Sequence, residues 1–219
     1  MRLDIFLKER NYFESRKKAQ DAIKDGLVKV NNKVAKKTSV NVDEDSLIEI
    51  DNEKVLNYVS RAALKLLAGK REFKVDFQNK IVLDLGASTG GFTEVALEAG
   101  AKKVYAVDVG TAQLHSKIKN DKRVVNLEKT DARHLTIQEI PEKIDIVVAD
   151  LSFISIFKVL PEILEFTKPE TEFLILFKPQ FEVGRKHIGK NGIVTDAKAI
   201  KKSLTQAKKK FQRLHFQDY

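Results

Sequence analysis

Acids and one lysine recur at the same kind of place in this chain, the end of a short apolar run. Ile81, Val82 and Leu83 lead into Asp84, and KVYAVDVG (103–110) carries Asp108. IDIVVADLSFIS places Asp150 after the run 144–149, and FLILFKPQFE places Lys178 after the run 173–177, with Pro179 stopping it. Apolar, β-branched runs of this length read as strands of a parallel sheet, buried on both faces. Ligands of such sheets lie beyond the carboxyl ends of the strands. Carboxylates and a lysine gathered on that edge could orient hydroxyl groups and move a proton.

The stretch KIVLDLGASTGGF (80–92) predicts a strand, a glycine turn and a helix start. Its spacing is G-x-x-x-G-G, not the dinucleotide G-x-G-x-x-G, and no lysine follows as a phosphate loop requires. A glycine turn with an acid at the strand tip suits a cationic, phosphate-free ligand such as S-adenosylmethionine; a tight turn after a core strand would look the same. Asp84, Gly86, Ser88 and Gly90 form the first part of this candidate site. Asp108, at the end of the second strand, could bind ribose hydroxyls. Asp131, after a third strand at 124–127, is placed to meet an adenine amino group.

The residues after the fourth strand separate classes of methyl transfer. Enzymes acting on exocyclic base amines resemble one another in a D/N-P-P-Y motif, where this chain has D-L-S-F (150–153). Methylation of pyrimidine C5 needs a cysteine nucleophile, and the chain has no cysteine. Oxygen chemistry remains. A ribose 2′-hydroxyl needs a base, and lysine serves only if its pKa falls well below the reference ~10.4, through burial and a neighbouring lysine. Lys178 is the expected base, with Lys65 and Asp150 in support. Lys65 lies on the expected helix RAALKLLAGKREF (61–73), among the small residues Ala62, Ala68 and Gly69, with Leu64, Leu67 and Phe73 as its apolar contacts. On helix pattern alone, Lys65 reads as a lysine whose stem follows the helix edge with its charge in water.

Two further elements must support this edge. Strands alternating with helices predict a doubly wound α/β sheet. Ahead of it, residues 1 to about 53 read as a small α+β module: a helix around Leu3–Leu7, a second capped by Ser15, two short strands about the turn Asn31-Asn32, and a third at 47–50. A short connector without Pro or Gly, 54–60, joins the two. Eleven basic residues face five acidic ones through Lys37, within a chain of net charge +9. That balance suits a polyanion such as RNA, although anionic lipid would satisfy charge alone. No apolar run approaches the ~18–20 residues of a membrane span, and MRLDIFLKER is charged too densely to read as a signal peptide. The expected compartment is the cytoplasm.

The segment S-R-x-x-A-x-x-A-I-x-x-G-x-V-x-V-N, Ser15 to Asn31, resembles the alpha-L RNA-binding domain of a small-subunit ribosomal protein, tyrosyl-tRNA synthetases and pseudouridine synthases. The resemblance implies RNA-backbone contacts from Arg2, Arg16, Lys17 and Lys37. VLDLGASTGGFTEVALEAGA, YAVDVG, VVADLSFISI, and LFKPQFEVGR with NGIVTD resemble the TlyA family, within FtsJ-like 2′-O-ribose methyltransferases. That resemblance implies a Rossmann-like class I methyltransferase domain (58–219) behind the RNA-binding domain (1–57). It implies S-adenosylmethionine as cofactor and cytidine ribose of ribosomal RNA as substrate, 23S for members with short termini. It also implies a Lys-Asp-Lys-Glu tetrad, whose first three members match Lys65, Asp150 and Lys178. The family's last two strands and its glutamate, in G-N-x-E, have no counterpart before Tyr219. The expectation is therefore a sheet without its C-terminal strands, the run 173–177 as an open edge, and a protein that binds cofactor but transfers methyl groups poorly. Two rivals stand beside this: a non-catalytic RNA-binding or ribosome-assembly factor, and the membrane-active haemolysin of the family's historical name. The strip 185–190 is a further basic stretch that could grip the same RNA as the N-terminal module.

Overall fold

The computed structural model describes residues 1–13, 15–50, 58–189 and 192–216. The chain forms two compact units, Met1–Leu64 and the residues from Lys65 onward.

In the first unit, helix α1 (Leu3–Glu9) and helix α2 (Arg16–Lys24) precede strands β1 (Val28–Val30), β2 (Lys33–Val34) and β3 (Ile48–Ile50). Ser15 caps α2 by accepting a hydrogen bond from the Lys18 amide at 3.2 Å, satisfying one of the free N–H groups of the first turn. Asn31 and Asn32 have φ of 50° and 64°, the pair of left-handed residues a two-residue hairpin turn demands. Val30 accordingly faces Lys33 across the β1–β2 ladder. Leu3, Leu7, Ala19, Ile23 and Val28 are fully buried and close the core of this unit.

The second unit is built on a parallel sheet ordered β6-β5-β4-β7-β8. Its strands are β4 (Ile81–Leu85), β5 (Lys103–Asp108), β6 (Val124–Glu128), β7 (Ile146–Ala149) and β8 (Glu172–Ile175). Helices α3 (Ala62–Phe73), α4 (Gly91–Glu98), α5 (Ser116–Lys119), α6 (Leu160–Ile163) and α7 (Ala197–Arg213) complete the chain. The doubly wound reading holds, and β8 is an edge strand whose described partner is β7. The three strands at 144–149, 173–177 and 124–127 shift by one or two residues at their ends. One expected contact fails: Phe73 is 72% exposed. The buried residues of α3 are Ala63 and Leu66, three apart on one face; Phe73, seven residues after Leu66, keeps to that face but lies in the last turn, past the end of the buried stripe. The connector expected at 54–60 lies mostly outside the described residues.

The register fixes which residues reach the sheet edge. Leu85 pairs with Val107 and with Ala149, and Ala149 pairs with Ile175. Asp108, Asp150 and Lys178 thus lie at or beyond the strand ends. Asp84 does not: it is the fourth residue of β4, opposite Ala106 and Val148.

Candidate active site

Asp150 is the centre of a three-residue cluster. Lys65 Nζ donates to its Oδ2 at 2.9 Å, and Lys178 Nζ forms an ion pair with its Oδ1 at 2.6 Å. Lys178 also donates to Ser152 Oγ at 2.8 Å. Three segments distant in sequence supply these groups. Lys65 comes from the first turn of α3, Asp150 leaves β7 with its amide still bonded to Leu85 O at 3.1 Å, and Lys178 follows β8. Lys178 is extended, at φ −116° and ψ 99°, as a residue before proline must be. Its side chain is only 16% exposed against 43% for Lys65. Partial burial pushes the Asp150 carboxyl upward, but the hydrogen bonds and charges of Lys178 and Lys65 outweigh it and hold the group below its ordinary range. Asp150 is therefore a carboxylate shared by two amines.

The glycine turn lies alongside. Gly86 has φ +81°, and a Cβ there would stand 3.1 Å from the Asp150 carbonyl oxygen. Gly90 has φ +96°, and a Cβ there would meet Leu114 at 2.8 Å. Ser88, at φ 49°, donates its amide to Asp108 Oδ2 at 2.8 Å, and the Gly110 amide donates to Asp108 Oδ1 at 2.7 Å. Each Asp108 oxygen keeps a second lone pair for a hydroxyl donor. Residues 84–93 include no lysine or arginine, so the cradle suits a ligand without phosphate. Asp131 sits at the head of a short turn after β6. The Arg133 side chain and amide hold its carboxyl down at about 2, so it is an acceptor at neutral pH.

Asp84 is placed differently from its expected position at the tip. Its side chain is fully buried, and Oδ2 accepts from Thr93 Oγ1 of α4 at 2.6 Å. Its other oxygen has no partner among the described residues. Burial pushes its pKa up to about 7, against the opposing Thr93 hydrogen bonds and with a smaller push from Asp150 and Asp108. Asp84 joins strand to helix beneath the glycine turn.

The loop residues are legible in sequence only as class markers, yet they shape the site. Phe153 is 93% exposed at φ +65° and lies beside Phe181, ring centroids 5.4 Å apart. Lys178 Nζ is 5.9 Å from the Phe181 centroid. Glu182 accepts from Ser155 Oγ at 2.8 Å and from the Ile156 amide at 3.0 Å, tying the loop after β7 to the turn after β8. Ser152, Ser155 and Glu182 act through these loop contacts, which no spacing rule reveals; D-L-S-F is the one signal the sequence offers.

The FtsJ-like methyltransferase family matches residues 58–219, and the S4 domain matches residues 1–48. The chain belongs to the FtsJ-like methyltransferase family. It is 39% identical over 213 residues to the 16S/23S rRNA (cytidine-2′-O)-methyltransferase TlyA of Mycobacterium tuberculosis, covering 97% of this chain and 80% of that one. It is 35% identical over 231 residues to the 23S rRNA (cytidine-2′-O)-methyltransferase TlyA of Campylobacter jejuni, covering 98% and 89%. A Streptococcus thermophilus structure that carries the name hemolysin superposes with a TM-score of 0.70 at 36% identity, covering 95% of this chain and 76% of that one.

The candidate RNA contacts of the S4 domain have partners of their own. Asp4 is fully buried, and its carboxylate accepts from Arg2 Nε at 2.9 Å, Arg16 Nε at 2.8 Å and Gln20 Nε2 at 2.7 Å. These bonds hold the carboxyl far below its ordinary range, the Arg2 bond foremost and against burial. Both guanidinium groups are thereby fixed while half-exposed. Lys17 pairs with Asp21 at 3.1 Å, and Lys37 is exposed.

Proposed function

We propose that this chain methylates the 2′-hydroxyl of a cytidine ribose in ribosomal RNA, 23S by the Campylobacter relative, in the cytoplasm. The observation that carries this reading is the Lys65–Asp150–Lys178 cluster beside the glycine turn. The residues of that turn fit S-adenosylmethionine: Gly86 and Gly90 take the left-handed backbone that shapes the turn, Asp108 offers acceptors for ribose hydroxyls, and Asp131 offers one for an amino group. When bound, the cofactor would supply an electrophilic methyl group, its S–CH₃ bond breaking to leave a neutral thioether.

The rest is the work of side chains. Asp150 carries the negative charge between the two amines and holds both in place. Lys178, the less exposed, takes the hydroxyl proton as the new O–CH₃ bond forms: the ribose O–H bond breaks and an N–H bond forms. Ser152 and Asp150 fix its Nζ from two sides and leave a third direction for the hydroxyl. Lys65 holds the far side of the carboxylate. Phe153, exposed next to this point, offers a face on which a base could stack.

The test is transfer of labelled methyl groups from S-adenosylmethionine to purified large ribosomal subunits. Label that maps to a ribose and falls at least ~100-fold in Lys178→Ala supports the reading. Absence of label from the wild-type protein, with cofactor bound, overturns it in favour of a non-catalytic RNA-binding factor.

A further inference from the structure

The outer face of α7 carries charge of one sign. Between Asp196 and the end of the helix the chain places Lys198, Lys201, Lys202, Lys208, Lys209, Lys210 and Arg213, and no acid. At 100° per residue, all of these except Lys210 fall within roughly 140° of arc, along ~22 Å of helix. All six are exposed, and none has an ion-pair partner among the described residues. Lys210, outside the arc, lies over the Phe157 ring at 4.6 Å.

A solvated helix face usually mixes signs, and this protein does so elsewhere. Lys17 pairs with Asp21 on α2, and Lys117 on α5 with Glu94 at 2.6 Å. On α7, Lys198 and Lys202, and Lys209 and Arg213, are like charges four residues apart, which disfavours the helix. Lys198 also occupies its first turn, where the helix dipole is unfavourable to cations. No acid within the helix offsets the like-charge pairs. The opposite face is committed to the core: Ala199, Ser203 and Ala207 are buried, and Phe211 packs edge-on against Phe157 and Phe216. With its apolar side turned inward, α7 cannot lay that side into a bilayer as an interfacial helix does.

We propose that the Lys198–Arg213 face of α7 is an RNA-backbone contact surface of the methyltransferase domain itself, additional to the S4 domain. The inference rests on the RNA-directed part of the function proposed above. Lysines spread over one face meet a row of phosphates rather than a base edge, so the contact positions RNA without reading its sequence. Phe157 begins two residues after Ser155 of the site loop, so the helix braces the segment that leaves the catalytic cluster.

The test uses the full chain and deproteinised 23S rRNA, with binding followed across a salt series. Lys201→Gln, Lys208→Gln and Lys209→Gln together should flatten the slope of log K against log salt by about 2, at ~0.7–0.9 per phosphate contact. Affinity near 0.15 M salt should fall on the order of 10-fold or more. The same three positions changed to Arg should keep slope and affinity. Melting temperature should hold or rise in the Gln variant, and S-adenosylmethionine affinity should not move. An unchanged slope in the Gln variant overturns the proposal, as does equal loss in the Arg variant. Charge-dependent binding of this face to phosphatidylglycerol vesicles with RNA binding unaltered also overturns it. Methyl transfer by the wild-type protein is read in parallel: a flattened slope without any transfer keeps this surface and removes the catalytic reading, and transfer with an unchanged slope does the reverse.

Discussion

Asp84, fully buried against the Thr93 hydroxyl, is held between keeping its charge and taking up a proton. Its folded pKa is raised to about 7, whereas an unfolded chain would hold it near ~3.9. The folded state therefore binds the proton more tightly. The stability linked to this group is complete below ~4 and is lost as pH rises through 7. The full loss is on the order of 4 kcal/mol for a shift of about three units. Asp84→Asn keeps the shape and removes the titration. The stability of the variant relative to wild type, from urea melts, should climb between pH 4 and 8; a flat difference would show that the buried oxygen is not titrating. Gly86 is constrained by space and by backbone. Gly86→Ala puts a methyl 3.1 Å from the Asp150 carbonyl at φ +81°. It should cost about 1–3 kcal/mol and weaken S-adenosylmethionine binding in calorimetry, while binding of RNA to the S4 domain persists.

At the scale of elements, the site depends on two loops staying in register. Strand ends put Asp150 and Lys178 near each other, but Glu182 holds the loops that carry them. Glu182→Ala should lower the methyl-transfer kcat about 10-fold with cofactor affinity unchanged, because a small misplacement of the base is costly while the glycine turn is untouched. Glu182→Gln, which can still accept from the Ile156 amide, should fall between. Equal values for wild type and Ala would remove Glu182 from the site. The parallel strands, the glycine turn and the Asn31-Asn32 hairpin are legible in sequence because each obeys a local rule: apolar runs, left-handed residues, strand-end acids. Asp84 reads as a tip residue because an acid after an apolar run looks the same whether it ends the strand or sits one residue inside. Phe73 reads as buried because its helical position alone does not show where the partner surface stops. The joining of Lys65 to Asp150 spans 85 residues, and helix pattern favours a solvated lysine there.

For the whole molecule, a net charge of +9 predicts association with RNA that weakens steeply with salt, but the charge has a structure. In the S4 domain, Arg2 and Arg16 are held by one buried carboxylate, so their poses depend on Asp4. Removing Asp4 takes the common acceptor from Arg2, Arg16 and Gln20, so Asp4→Ala should unfold the first unit at a lower denaturant concentration and take RNA affinity with it. Arg16→Gln separates the two roles. Arg2 and Gln20 still reach Asp4, so the unit should remain folded while one phosphate contact is lost. RNA affinity should then fall and its salt slope shrink by about 0.7–0.9, with S-adenosylmethionine affinity unmoved. If both affinities dropped together, Arg16 would be a structural residue and the RNA would be held elsewhere on the molecule.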